Sequence, residues 1–460
     1  MRAKLIYTCL IVFSLFALEL SAQWQVYTPA LPDTVGTFDL RIADGNDQVA
    51  WGVSMKYDVM PDGYYWVAMD SLIYTKTSDG GETWTGGTIP MGPEPYASNI
   101  CPVSADMAWA SGLDFDYVNY IMRTTDGGQT WERQFEEGFV AATSYINFVH
   151  FWDEQNGIAM GDPAESDTHP TPFFEIYKTD DGGENWTRVD SANIPAPLPD
   201  EYGNANIYDV VGDHVWFGTL NFSDYSGYRI FHSPDRGATW TAVNSSAVLY
   251  LSFADELYGA ALDHLTSIPS YTSDGGATWI ALPAITGANV IELAIIPESH
   301  YLFSVQSVDN ITGPFPTMIS PDLGQTWLEI GASECAGNVA FASPTLGYGG
   351  EWQPADHLSR MYKYTGDPLS GLFSGLSLDA EVTVLPNPVA DQLHVQIDTK
   401  EPSEFVVLLH DAQGRLVARQ TLDSTSTGSA QFDMSGLAAG VYTVMVSSKG
   451  GYLTRRVVKG

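Results

Sequence analysis

The octad Thr77-Ser-Asp-Gly-Gly-Glu-Thr-Trp84 is the first of six copies, and this repetition constrains the chain to a repeat architecture. The others are Thr124-Thr-Asp-Gly-Gly-Gln-Thr-Trp131, Thr179-Asp-Asp-Gly-Gly-Glu-Asn-Trp186, Ser233-Pro-Asp-Arg-Gly-Ala-Thr-Trp240, Thr272-Ser-Asp-Gly-Gly-Ala-Thr-Trp279 and Ser320-Pro-Asp-Leu-Gly-Gln-Thr-Trp327. Self-similarity at about 40 to 55 residues marks propellers or solenoids, in which small units stack instead of sharing one core. The octad reads as a stapled turn. Its Asp, with the Ser or Thr two positions earlier, accepts backbone N–H groups. The Gly two positions after the Asp tolerates a positive φ, and the Trp covers the hairpin with an apolar face.

Three strand-like segments precede each octad. In the third unit they are Tyr145 to Phe151, Gly157 to Gly161 and Phe173 to Lys178, and Trp186 to Val189 follows as a fourth strand. Four antiparallel strands per repeat describe a propeller blade. After the sixth octad, Gly337 to Ala342, Gly347 to Gly350 and Met361 to Tyr364 supply three strands without a fourth. Trp24 to Tyr27 looks like the missing outer strand, so strands from both ends would close a ring of seven blades and leave no free sheet edge. The octad resembles the Asp-box of sialidase-like, BNR-repeat propellers, also seen in xyloglucanase, sortilin-type and photosystem II assembly-factor propellers. The resemblance spans roughly residues 24 to 366. It implies that the boxes lie away from the functional face, which makes Asp79, Asp126, Asp181, Asp235, Asp274 and Asp322 structural.

Residues 1–22 carry Arg2, Lys4, an apolar run from Leu5 to Leu18 and the small pair Ser21-Ala22, the pattern of a secretory signal peptide. No later stretch is apolar enough to span a bilayer. Cys101 and Cys335 are then the only cysteines left, with a disulfide and two unpaired buried thiols equally open. The octads stop at a Gly-, Ser- and Leu-rich linker, residues 367–381. Beyond it, Leu393 to Ile397, Phe405 to Leu409 and Leu437 to Val446 alternate between Gly and Asn turns, as in a small antiparallel β-sandwich. Pro386-Asn387-Pro388, Asp411 to Arg415, Leu437 to Tyr442 and the basic last strand resemble the C-terminal sorting domain of type IX secretion substrates. That resemblance covers residues 382–460. It implies a Gram-negative cell, engagement of the type IX machinery through the tail, and release or display at the outer cell surface. The expected organisation is thus all-β, with a signal peptide (1–22), a seven-bladed β-propeller (23–366), the linker, and the sandwich (382–460).

The chain has 20 Lys and Arg against 56 Asp and Glu, a formal net charge of -36, which excludes a nucleic-acid partner. Residues 381–460 contribute 8 acidic and 7 basic residues, so the negative charge lies on the repeats. Much of it falls in loops opposite the octads. The ligand-binding candidates there are Asp58, Tyr64, Trp66, Asp114, Asp116, Tyr117, Asp162, Glu165, Asp167, Tyr225, Trp352 and Asp356. Flat aromatic faces beside carboxylates suit a glycan or protein ligand, while the bland alternative is a set of solubilising loops. A glycoside hydrolase or lyase acting on a neutral polysaccharide is the enzymatic alternative, since carboxylates are plentiful. A structural envelope component is the third reading. The resemblance does not extend to sialidase chemistry: arginines are scarce, and the family's Arg-Ile-Pro signature is at best Arg41-Ile42-Ala43. Photosynthetic function does not fit a type IX tail. No cofactor is indicated. Calcium is the one metal with candidate ligands, in oxygen-rich loops such as Asp162 to Asp167, although no EF-hand spacing is present.

Overall fold

The computed structural model describes residues 24–27, 35–60, 63–66, 71–136, 138–139, 144–166, 169–221, 223, 229–245, 250–263, 266–285, 289–297, 301–307, 315–320, 323–324, 327–333, 337–343, 345–351, 359–365, 380–411, 416–448 and 451–460. The expected leader and nearly all of the linker lie outside the described residues, as does Cys335.

Among the described residues the repeats form seven antiparallel sheets, six of four strands and the first of five, in which Gly63–Trp66 pairs with Asn46–Met60 beside the four-strand path. Six of them follow the chain order: a first strand, a short turn, two further strands and an outer strand after the octad. The first strands are Val35–Ala43, Tyr96–Pro102, Ile146–Phe151, Glu201–Val211, Tyr250–Phe253 and Asn289–Ile296. The seventh sheet starts at Val339–Ser343 and takes its outer strand from the other end of the chain, with Trp24 opposite Tyr364 and Tyr27 opposite Met361. Each first strand touches that of the next sheet, and Val339–Ser343 touches Val35–Ala43, so these strands surround a central channel.

The alternation of side chains along a strand explains how each sheet is buried on two faces. In Ala108–Leu113, Trp109 packs toward the third sheet with Phe151, while Ala108 and Ala110 pack toward the first sheet with Trp51 and Val53. In His214–Asn221, Trp216 turns toward the fifth sheet, and Val215 and Phe217 turn toward the third. Trp109 stacks on Phe151 with ring centroids 3.6 Å apart, and Trp216 on Phe253 at 3.7 Å, the same contact one sheet further on. The repeats therefore have no single core. Each of the seven gaps between neighbouring sheets holds its own apolar cluster. Burying one such aromatic contributes on the order of 2–3 kcal/mol.

Beyond the linker, five strands form one hydrogen-bonded sheet. The segments expected as separate strands around Leu393 and Phe405 belong to a single strand, Gln392–His410, which passes through a register break between Asp398 and Ser403. Its first part pairs with Ala380–Leu385 and its last part with Gly440–Ser448. Leu393, Val395, Ile397, Phe405, Val407 and Leu409 all face one core, together with Phe432 and Val444.

Candidate functional site

Five octads have described aspartates, and in each the same hydrogen bonds close the turn. In the first, Asp79 Oδ1 accepts from Thr77 Oγ1 and Thr83 N, both at 2.9 Å, and Oδ2 accepts from Thr83 Oγ1 at 2.6 Å. Asp126, Asp181, Asp235 and Asp274 repeat the pattern, with Asn185 replacing the last Thr at Asp181. These bonds occupy the carboxylates within their own turns. The hydroxyl of Thr130 and its amide hold Asp126 below the usual carboxylate range, and Asn185 does the same for Asp181. The octads lie at one end of the sheets, against the turns between first and second strands: Gly80 N donates to Gln48 O, and Gly182 N to Gln155 O. The second octad Gly is fixed by close approach as well as by backbone conformation. Gly128 has φ +88, and a Cβ there would lie 2.3 Å from Tyr74 Oη of the preceding sheet. Asp322 lies outside the described residues.

At the opposite end, the loop Asp114 to Val118 of the second sheet carries the most exposed aromatic residues among those described, Phe115 (60%) and Tyr117 (64%), beside exposed Asp116. The neighbouring carboxylate, Asp114, is buried and serves the loop itself: its Oδ1 accepts from Val118 N at 2.9 Å and its Oδ2 from Tyr120 Oη at 3.0 Å. Tyr117 takes a positive φ of 61 and reaches toward the third sheet, where its ring centroid is 5.7 Å from that of Tyr145. Next to Tyr145 lies Asp162, 4% exposed, whose Oδ1 accepts from Asn147 Nδ2 and Gly203 N, each at 2.8 Å. Burial pushes the Asp162 carboxyl up to about 7 against these hydrogen bonds. The structure thus brings Asp114, Asp116, Tyr117 and Asp162 to one end of the second and third sheets.

Asp58, Tyr64 and Trp66 fall in a two-stranded ribbon that extends the first sheet, with Tyr57 opposite Trp66, and only its backbone is described. The same holds for Glu165 in Gly157–Ser166. Asp167, Tyr225, Trp352 and Asp356 lie outside the described residues. No group of three or more His, Cys, Asp or Glu among the described residues is placed to hold a metal ion.

The sequence reading missed a second polar centre, inside the channel. A cavity of about 1010 Å³ runs from the middle of the channel to the octad end, lined by all seven first strands. Arg41 reaches across it from the first sheet to the fourth. Its Nε donates to Asp39 Oδ1 at 2.9 Å, its Nη2 to Asn206 Oδ1 at 2.6 Å, and its guanidinium carbon lies 4.4 Å from the Tyr208 ring centroid. Asp39 also accepts from Ile100 N, which ties the second sheet into the network. Burial raises the Asp209 carboxyl to about 6 and that of Glu292 well above its usual range, although Arg41 opposes both shifts. Burial also pushes the free Cys101 thiol up to about 12. Nothing in the octad pattern announces these residues. The only sequence signal is charge on strands whose counterparts are apolar, such as Arg41 in Val-Gly-Thr-Phe-Asp-Leu-Arg-Ile-Ala and Glu292 in Asn-Val-Ile-Glu-Leu-Ala-Ile-Ile. Other arginines are also paired, Arg188 with Glu175 at 2.7 Å and Arg360 with Glu351 at 3.1 Å.

Residues 383–460 match the secretion system C-terminal sorting domain family. That tail implies type IX sorting, and with it a secreted or cell-surface protein. No helix among the described residues is long and apolar enough to cross a membrane. The chain is similar to a photosystem II assembly lipoprotein, Ycf48, of a Synechococcus strain, with 29% identity over 111 residues. This stretch is 24% of the chain and 29% of the relative's length. Two solved structures share the fold. YCF48 bound to a D1 peptide matches with a TM-score of 0.50 and 17% identity, covering 76% of this chain and 97% of that one. YCF48 from Cyanidioschyzon merolae matches with a TM-score of 0.51 and 15% identity, covering 74% and 98%. The repeats are a β-propeller.

Proposed function

We propose that the protein is an exported seven-bladed β-propeller of the Asp-box kind, led by a signal peptide, carried by a sandwich-like sorting tail, and built to bind a glycan or protein ligand. The ligand site is the end opposite the octads. The observation that carries the reading is the exposed Phe115-Asp116-Tyr117 edge beside Tyr145 and Asp162, because both rings stay mostly open to solvent on a loop with a positive φ even though Tyr117 also touches Tyr145. Such rings stack on pyranose faces or apolar peptide side chains, and Asp116 accepts hydroxyl or amide hydrogens. The peptide held by a YCF48 of the same fold supports the protein arm. The pairing of Arg41, Arg188 and Arg360 with acids disfavours anionic ligands.

A hydrolase or lyase draws support from Asp162, whose raised carboxyl is of the kind a general acid needs. Glycan and peptide arrays probed with the full chain, run beside a polysaccharide hydrolysis screen, test both readings. Binding without product release is the expected result, with Tyr117→Ala weakening it about tenfold. Product release lost in Asp162→Asn would replace binding with catalysis. A wild-type chain silent on all three assays would refute both and leave a structural envelope role.

A further inference from the structure

The fourth and sixth octads depart from the others at their fourth residue, which in both is a non-glycine at φ 55. Four copies carry Gly there, at φ between 72 and 75, and the fourth copy carries Arg236, paired with Asp213 at 2.6 Å. The sixth carries Leu323 at φ 55, a conformation that a side chain with a Cβ resists, at a position where turn chemistry favours Gly. Leu323 is nevertheless only 2% exposed. What covers it is the sorting domain.

Strand alternation supplies the covering surface. Phe405, Val407 and Leu409 enter the tail's own core with Val444 and Val446. The intervening Val406, Leu408 and Met445 point the other way and form one cluster with Leu323 and Tyr258. Beside it, the Arg419 guanidinium lies over Tyr271, 4.6 Å from the ring centroid, and donates to the Tyr271 hydroxyl. Tyr258 and Tyr271 belong to the fifth unit and Leu323 to the sixth, so the seat exists only where two neighbouring sheets are folded side by side.

We propose that the octad end of the fifth and sixth sheets is a docking seat for this chain's own sorting domain. Leu323 is the key that fits against Val406, Leu408 and Met445, and Arg419 clamps the edge through Tyr271. The tail therefore lies against the propeller rather than trailing from it. Its second apolar face stays covered only while the propeller is folded, which links the surface offered to the export machinery to the folded state of the cargo.

Methionine oxidation of the full chain by dilute hydrogen peroxide, read by peptide mass spectrometry, tests the seat. Met445 is 3% exposed and belongs to the junction, Met434 is buried in the tail's core, and Met160 is buried in the propeller. In the wild-type chain Met445 should resist oxidation as Met434 does. Leu323→Asp should speed oxidation at Met445 by about tenfold or more while Met434 and Met160 stay protected, since an exposed thioether is oxidised and a covered one is not. Leu323→Gly relaxes the turn and removes only the side chain, and it should act in the same direction. Met445 oxidised as fast in the wild-type chain as in Leu323→Asp, or protected in both variants, would overturn the proposal. So would joint exposure of Met434 and Met445 in both variants, which would make Leu323 part of one indivisible fold.

Discussion

Asp162→Asn isolates the energetic consequence of a carboxyl buried at the end of the sheets opposite the octads. In the folded protein this group is 4% exposed and titrates at about 7, whereas in an unfolded chain an Asp titrates near 3.9. The folded state therefore keeps a proton that the unfolded chain releases. Its stabilising contribution is complete below about pH 4, declines through the interval, and is lost as the pH rises through about 7. A difference of about 3 pH units at about 1.4 kcal/mol each sets an upper bound of about 4 kcal/mol. The Asn side chain keeps the Oδ1 acceptor for Asn147 and Gly203 and cannot ionise. Urea unfolding of both proteins at pH 4.5, 6 and 8 should show the variant gaining on the wild type by about 2–4 kcal/mol across the series. Parallel pH profiles would refute the reasoning, because the carboxyl would then titrate alike in both states. A variant that loses ground as the pH rises would reverse its sign.

The octad aspartates have the opposite sign. Asp126 and Asp181 are held below the usual carboxylate range, so their contribution is present above about pH 4 and is lost as the pH falls through their lowered values. The Asp126→Asn, Asp181→Asn double variant should have a lower thermal midpoint than wild type at pH 7, and the gap should narrow at pH 3; a constant gap would contradict the assignment. In the channel, Arg41→Ala strands the buried Asp39 carboxylate and should cost about 3–5 kcal/mol in urea unfolding, with Asp39→Asn restoring part of it. Simple additivity of the two substitutions would show that the pair is not coupled.

What the sequence discloses follows the range of the interactions involved. The octads and the alternating strands are local, so their turns and strand order can be read from consecutive residues; the long-range pairing of Trp24–Tyr27 with Met361–Tyr364 follows instead from counting repeats, because the last one lacks a fourth strand. The Arg41 network joins residues from sheets on opposite sides of a ring, which no local period encodes. Asp114 and Asp162 look alike as acidic loop residues. Only the fold separates a carboxylate saturated by its own loop from one whose titration is shifted by burial. In the tail, Leu393 to Ile397 and Phe405 to Leu409 read as two strands, yet Gln392–His410 runs through both across an irregular register. Leu323 reads as a poor turn residue until the surface that covers it is in view.

The sheet shared by the two ends of the repeats also sets an order of events in time. A chain delivered from its N-terminus holds Trp24–Tyr27 as an unpaired strand until Met361–Tyr364 arrives, and the first sheet has no closing neighbour during that interval. Closing a loop of this length is among the slower steps available to a chain, because its entropy must be met before any contact rewards it. The strand that completes the ring is followed after a short linker by the sorting domain. Completion of the ring and emergence of the export address are thus nearly simultaneous, and the address follows the last strand that the cargo needs.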